Sequence, residues 1–302
     1  MIVTELYNGQ GLGNQLWCYA TLRAISHNKN FNYGIKYPEK FKGKTFINID
    51  FGLDVIGGKS PDGGPPIELP QNILYYYKEK LFRHPDYHWM DISCKDNVLY
   101  DICDNCKIDG TMQAYSYVVK HKQLIKSWIK VQPNSVYEKY NSNDICIIHF
   151  RGGDVTNHPT MVDVNYYKNA INAFKEKNIN IKFLIVTDDP NQAQKLFPGI
   201  EIIGSSQLNI SDPYKADHHL GGPIEHDFYI MYYCKNIIIP ASSFSWWAVW
   251  LNDENKTVVA PKYWAGYQLN AGLWSCSDMA VENWNYLDKD GEFTKYVRTK
   301  NL

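Results

Sequence analysis

The sequence predicts an α/β protein built as two Rossmann-like domains facing a cleft. Three observations carry that prediction. From about residue 144 onward, short unbroken apolar strands alternate with helical stretches, the rhythm of a parallel sheet covered on both faces. The chain opens on the same theme, with a β-branched run, a Gly/Asn turn, a helix and a second strand. Finally, 302 residues of which 44% are hydrophobic suffice for one large core or two ordinary ones. The expected domains are 1–140 and 141–302.

Taken in order, Ile2 to Leu6 reads as the first strand and Tyr7 to Gly13 as a loop. Asn14 to Ser26 has helical spacing, with Leu16, Ala20 and Ile25 near one face. Phe31 to Ile35 is the next strand. Residues 36–75 are irregular, broken by Gly57-Gly58, Gly63-Gly64 and Pro65-Pro66. Ile73 to Phe82 and Tyr117 to Ile129 are expected to be helices. Beyond them come strand Ile145–Phe150, helix Asn165–Lys177, strand Lys182–Thr187 and helix Pro190–Phe197, which has proline in its first turn. Strand Glu201–Ile203, helix Glu225–Cys234, strand Asn236–Pro240, helix Ser243–Leu251 and strand Lys256–Ala260 complete the pattern.

Composition excludes some functions. Formal net charge is −1, so no basic field draws the chain to nucleic acid. The start lacks a signal peptide, and no segment approaches the roughly 20 apolar residues of a membrane span. A soluble, cytoplasmic chain is the expectation, with peripheral membrane association left open. Seven cysteines, an odd number, read as reduced thiols. Cys103-x-x-Cys106, with Cys94 and His88 as the only other candidate ligands, is a weak zinc signal; packing or loop cysteines are the simpler reading.

Four segments carry chemistry. Gly9-Gln10-Gly11-Leu12-Gly13-Asn14-Gln15 lies between strand and helix, where glycines let backbone approach a ligand and the helix N-terminus attracts an anion. The alternative is a tight turn with Asn14 as helix cap. His149-Phe150-Arg151-Gly152-Gly153-Asp154 ends a buried strand, where open α/β sheets place their sites. The Arg151 guanidinium suits the diphosphate released when a sugar–phosphate bond breaks, and a metal then becomes unnecessary. His149 shares its sheet face, and Asp154 is placed to hold the turn or to orient Arg151. Arg151 and Asp154 also fit a structural ion pair at a strand end. Thr187-Asp188-Asp189-Pro190 follows another buried strand and reads equally as a ligand site or a helix start. Last, Asp227 matches the N1–H and 2-amino donors of a guanine edge, and Ser242, Ser243, Phe244 and Ser245 form a strand-to-helix turn suited to phosphate. Ser242 and Ser243 serve equally as caps, and Trp246-Trp247 reads as core.

Together these segments resemble the α1,2-fucosyltransferase family. The resemblance rests on Gly11-Leu12-Gly13-Asn14-Gln15, Gly110-x-x-Gln113, His149-x-Arg151-x-x-Asp154, Thr187-Asp188-Asp189, and Asp227-Phe228-x-x-Met231-x-x-Cys234 leading into Ser243-Phe244-Ser245-Trp246-Trp247. It implies a GT-B fold and an inverting transfer of fucose from a GDP-fucose donor to a glycan acceptor, without a metal or other cofactor. Arg151 would then contact the β-phosphate, Asn14 the diphosphate and Asp227 the guanine, with Ser242 to Phe244 holding phosphate. The family pattern usually carries a second arginine where this chain has Gly152, and often an aromatic where it has Val155. His149, Asp154 or a carboxylate of the first half are the candidate bases. Acceptor contacts are expected from residues 36–135.

Overall fold

The computed structural model describes residues 1–7, 9–58, 68–83, 91–93, 99, 101–153, 161–205, 224–264 and 279–295. The chain divides into two compact units, Met1–Gln132 and Pro133–Leu302. The boundary expected at residue 140 moves because the 3-10 turn Ser135–Tyr140 packs within the second unit, where the Tyr137 and Tyr229 rings stack with centroids 4.9 Å apart.

In the first unit, β1 (Ile2–Glu5) leads into α1 (Leu12–Lys29) and β2 (Tyr33–Lys36). Short β3 (Ile47–Asn48) follows, then β4 (Tyr75–Lys78), β5 (Leu81–Arg83), β6 (Asp91–Ser93) and β7 (Cys106–Asp109). Helices α2 (Tyr115–Val118) and α3 (Lys122–Trp128) lead to β8 (Lys130–Val131). Four strands form a parallel sheet in the order β2-β1-β7-β4. Of the 18 residues of α1, 13 are buried, so it is covered on nearly all sides rather than along one stripe.

The helix expected over Ile73–Phe82 is instead β4 and the start of β5. Tyr75-Tyr76-Tyr77 is a run of strong strand formers, and β4 pairs in register with β7 from Tyr75↔Cys106 to Lys78↔Asp109. The second arm, Tyr117–Ile129, is helical as expected, split between α2, a 3-10 turn and α3.

The second unit runs β9 (Ile145–Phe150), α4 (Val164–Lys177), β10 (Lys182–Thr187), α5 (Pro190–Leu196), β11 (Glu201–Ile203), α6 (Ile224–Tyr233), β12 (Asn236–Ile238), α7 (Ser243–Trp250) and β13 (Thr257–Pro261). It closes with β14 (Asn285–Leu287) and β15 (Phe293–Lys295). The sheet order is β11-β10-β9-β12-β13-β14-β15, parallel except for the terminal β14–β15 pair. The central strands are buried because α4 covers them: Ile148, Phe150 and Ile185 pack with Tyr166, Tyr167 and Phe174. The Tyr166 hydroxyl donates to the Ile239 carbonyl at 2.7 Å, which meets the polar need of a buried ring. Two α/β units in series are the composition of a GT-B protein.

Candidate functional site

Parallel strands place their carboxyl ends on one edge. In the second unit that edge gathers the turns after β11, β10, β9 and β12, which are neighbours in the sheet. Arg151 follows β9 directly and is partly exposed. Beside it the Gly152 N–H donates to Asp188 Oδ1 at 2.8 Å, so the ends of β9 and β10 are clamped together. A methyl at Gly152 would lie 2.7 Å from Gln192 Oε1, 2.8 Å from the Phe150 ring and 2.9 Å from Asp189 Cβ. A side chain at this position would need Phe150 and Asp189 to shift.

The Asp188-Asp189 pair divides its work. Asp189 caps α5, accepting from Gln192 N at 3.0 Å, while Asp188 takes the Gly152 N–H. Asp188 therefore holds the turn that carries Arg151. His149 is only 7% exposed. Burial, with help from the Arg151 charge, pushes its imidazole down to about 3. At neutral pH it is therefore an uncharged ring. Among the described residues its buried Nδ1 has no hydrogen-bond partner, and its ring meets Phe244 edge-on with centroids 6.3 Å apart. Asp154 lies outside the described residues.

Asp227, in the first turn of α6, accepts from Ser205 N with Oδ1 and from Ser205 Oγ with Oδ2, both at 2.7 Å. It thereby fixes the chain just past β11. Burial raises its carboxyl to about 6; the Ser205 bonds oppose the rise and the Asp188 charge adds to it. Gly204 has φ +101, and a methyl there would sit 2.6 Å from Asp227 Oδ1, so glycine is needed for the approach.

At the head of α7, Ser242 is the N-cap residue but makes no side-chain cap bond. Ser243 and Phe244 reach the surface, whereas Ser245 is fully buried and its hydroxyl donates back to the Ser242 carbonyl at 3.2 Å. Ser245 is thus removed from the ligand-facing set, because the helical turn points it inward. Trp246, Trp247 and Trp250 are core.

In the first unit, Gly11 rather than Asn14 is the residue capping α1, without a side-chain bond. A methyl on Gly11 would meet nothing within 4 Å. Asn14 sits one turn in, and its Oδ1 accepts from Gln113 Nε2 at 2.8 Å. Gln15 is fully buried: its amide donates to the Lys40 carbonyl and accepts from Lys42 N, both at 2.9 Å. It pins the chain after β2 and is not a ligand contact. Gly13 is buried in the same turn.

Sequence reasoning missed a buried charge group at the end of this sheet. Lys107 Nζ lies 3.1 Å from Glu5 Oε1 and 2.9 Å from Asp109 Oδ2, and all three residues are under 9% exposed. Glu5 lies more than 100 residues before Lys107 and Asp109, so no local pattern announces the group. Cys103 and Cys106 are free thiols, one exposed and one buried in β7; Cys94 and His88 lie outside the described residues. The one Asp-x-Asp of the chain, Asp288-Lys289-Asp290, is a turn in which Asp288 Oδ1 accepts from Asp290 N and Glu292 N. Among the described residues no three His, Cys, Asp or Glu side chains are grouped to hold a metal, and no helix is long and apolar enough to cross a membrane.

Residues 91–288 match the family model described as glycosyl transferase family 11. The chain is 24% identical over 194 residues to the O-antigen biosynthesis glycosyltransferase WbnK of Escherichia coli, covering 55% of this chain and 60% of that protein. It is 25% identical over 167 residues to an alpha-1,2-colitosyltransferase of Escherichia coli, covering 51% and 54%. The matches thus span less than two thirds of both relatives. Among solved structures, NodZ alpha-1,6-fucosyltransferase soaked with GDP-fucose aligns at 16% identity and a TM-score of 0.43, over 83% of this chain and 92% of that one. Fucosyltransferase NodZ from Bradyrhizobium aligns at 15% identity and a TM-score of 0.45, over 82% and 92%.

Proposed function

The chain belongs to glycosyl transferase family 11, and from that premise we propose that it transfers L-fucose from GDP-fucose to a glycan hydroxyl, with inversion and as an α1,2 linkage to galactose. One observation carries the donor half of this reading. At the carboxyl edge of the second sheet stand Arg151 after β9, the N-terminus of α7 after β12, and the half-buried Asp227 carboxylate, bonded from α6 to Ser205 just past β11. These are the three groups a guanosine diphosphate asks for.

Each has a role. Arg151 meets the diphosphate, whose negative charge grows as the sugar–oxygen bond breaks, and a planar guanidinium grips two oxygens at once. Backbone N–H groups at the head of α7, with the Ser243 hydroxyl beside them, receive phosphate oxygens. Asp227 accepts the guanine N1–H and 2-amino hydrogens on lone pairs left over from its Ser205 bonds. With positive potential supplied this way, the leaving group needs no divalent ion. In the first unit, the open face of Gly11 allows a ligand close to backbone at the head of α1. His149 acts as a neutral neighbour of Arg151 rather than as the base. The proton of the acceptor hydroxyl leaves late, to a weak base or water, as the anomeric bond opens.

Incubation with GDP-fucose, GDP-mannose and UDP-galactose, with galactose-terminated glycans and with or without EDTA, tests the reading through nucleotide release. Release from GDP-fucose that persists in EDTA is expected. No release from any GDP-sugar, or loss in EDTA restored by magnesium or manganese, refutes it. A relative named for colitosyl transfer makes another GDP-sugar the second reading, favoured if GDP-fucose is turned over far more slowly than other GDP-linked deoxysugars.

A further inference from the structure

From the end of β7 at Asp109 the chain passes through Gly110-Thr111-Met112-Gln113, a turn that ends beside α1. We propose that Glu79, at the end of β4, is a positioning residue that holds this turn so that Gln113 fixes Asn14 at the head of α1. The inference rests on the reading above, in which the head of α1 belongs to the binding machinery.

Four observations converge on it. Glu79 is only 3% exposed, and its own backbone N–H donates to the Asp109 carbonyl at 2.7 Å, locking β4 to the end of β7. Its carboxylate accepts the Met112 N–H at 2.8 Å, and accepts from the Thr111 and Tyr117 hydroxyls at 3.4 Å. Met112 has φ 53, a left-handed conformation that costs a side-chain-bearing residue and persists only where its surroundings impose it. Gln113, the next residue, donates to Asn14 Oδ1 at 2.8 Å.

The chain of cause runs through these contacts. A buried carboxylate is costly unless its oxygens are bonded. Glu79 meets part of that need with the Met112 N–H of the left-handed turn, so the two unfavourable features stabilise each other. Gly110 follows from the same packing. A methyl there would lie 2.4 Å from Glu79 Cβ and 2.5 Å from Oε2, so only glycine lets the carboxylate reach the turn. The Gly110-x-x-Gln113 spacing thus has a physical meaning. Glycine admits Glu79, Glu79 bends Met112, and the bend aims Gln113. Among the described residues its oxygens bond to the turn and to the Tyr117 hydroxyl, which gives Glu79 a positioning role.

The test compares full-length wild type with Glu79→Gln, read by amide hydrogen exchange at Met112, by the side-chain amide signals of Gln113, and by turnover. Glutamine keeps the volume but turns one acceptor into a donor. Losing a charged hydrogen bond of this kind should speed Met112 exchange by about tenfold or more and lower kcat by a similar factor. The preference for GDP over ADP, set by the second unit, should stay within about twofold, a factor worth well under 1.4 kcal/mol. Adding Met112→Gly, which adopts the left-handed turn freely, should restore part of kcat. Glu79→Gln combined with Gln113→Ala should be no slower than Gln113→Ala alone. If Glu79→Gln does not fold, Glu79→Asp keeps the charge, shortens the reach and should shift the same readouts in the same direction. Unchanged Met112 exchange, unchanged kcat, or additive losses with Gln113→Ala would overturn the inference. Absence of transfer by wild type would refute the proposed function instead, while the exchange and Gln113 signals still decide whether Glu79 holds the turn.

Discussion

Asp188 Oδ1 accepts the Gly152 N–H at 2.8 Å, and this bond joins the turn after β10 to the turn after β9. It fixes the backbone immediately beyond Arg151. A residue that looks like a ligand contact in the sequence is thus part of the support for the arginine. The same packing closes the Gly152 position, where the α1,2-fucosyltransferase pattern usually has a second arginine.

Restoring that second arginine should harm the protein. A Cβ at 152 would lie 2.8 Å from the buried Phe150 ring and 2.9 Å from the Asp189 cap, neither of which is a loose end. Overpacking of this kind costs about 1–3 kcal/mol. Gly152→Ala should therefore lower the melting temperature by about 2–4 °C per kcal/mol lost. Gly152→Arg should fall further and gain no turnover. A Gly152→Arg protein as stable as wild type and faster would overturn the steric account.

Arg151→Lys tests the remaining guanidinium. Lysine keeps the charge but loses the planar fork that grips two phosphate oxygens. Turnover should drop by about 100-fold or more, the scale of losing one transition-state stabiliser. Circular dichroism and thermal unfolding should be unchanged. Near-normal rates in a folded variant would assign Arg151 a structural role.

What the sequence disclosed follows the range of the forces involved. Strands β9 and β10 are readable because burial on both faces leaves unbroken apolar runs. The start of α5 is readable because Asp189-Pro190 is a local capping signal. The β4 strand was not, since tyrosines on an edge strand are exposed and give no alternation; its direction comes from pairing with Cys106–Asp109, some 30 residues away. Site residues sorted the same way. Arg151 at a strand end was legible. The turning inward of Ser245, the pinning of Gln15 to Lys40 and Lys42, and the Glu79 and Lys107 networks depend on partners that only folding brings together.

A pH dependence follows from Asp227, whose carboxyl burial lifts to about 6. A raised value means that the folded protein keeps a proton the unfolded chain has released. The contribution of this group to stability is therefore full below the ordinary aspartate value of about 3.9 and is lost as pH rises through about 6. Guanine recognition runs the opposite way, because N1–H and the 2-amino group need the ionised acceptor. The ratio of GDP to ADP affinity should climb from pH 5 to pH 7, by at most about tenfold per unit below the pKa. Comparing the two nucleotides cancels the titration of their phosphates. Asp227→Asn should flatten the curve, and a flat ratio in wild type would remove Asp227 from guanine recognition.

The strongest test of that assignment separates two jobs the carboxylate can hold. Asp227 certainly braces Ser205, through both of its oxygens. If it also reads guanine, adenine leaves it short of partners, since adenine offers neither an N1–H nor a 2-amino group. An unmet buried polar group costs about 1–3 kcal/mol, more if charged. GDP should then bind well over about tenfold tighter than ADP, as each 1.4 kcal/mol is tenfold. Ser205→Ala removes the hydroxyl bond to Oδ2 and leaves the carboxylate and the backbone bond in place, so it should cost some stability and keep the guanine preference. Asp227→Ala removes both jobs and should erase most of the preference while Arg151 still holds the diphosphate. Calorimetric titration of GDP and ADP into the three proteins decides between them. If Asp227→Ala loses stability but keeps the wild-type GDP to ADP ratio, Asp227 is a brace for Ser205 and nothing more.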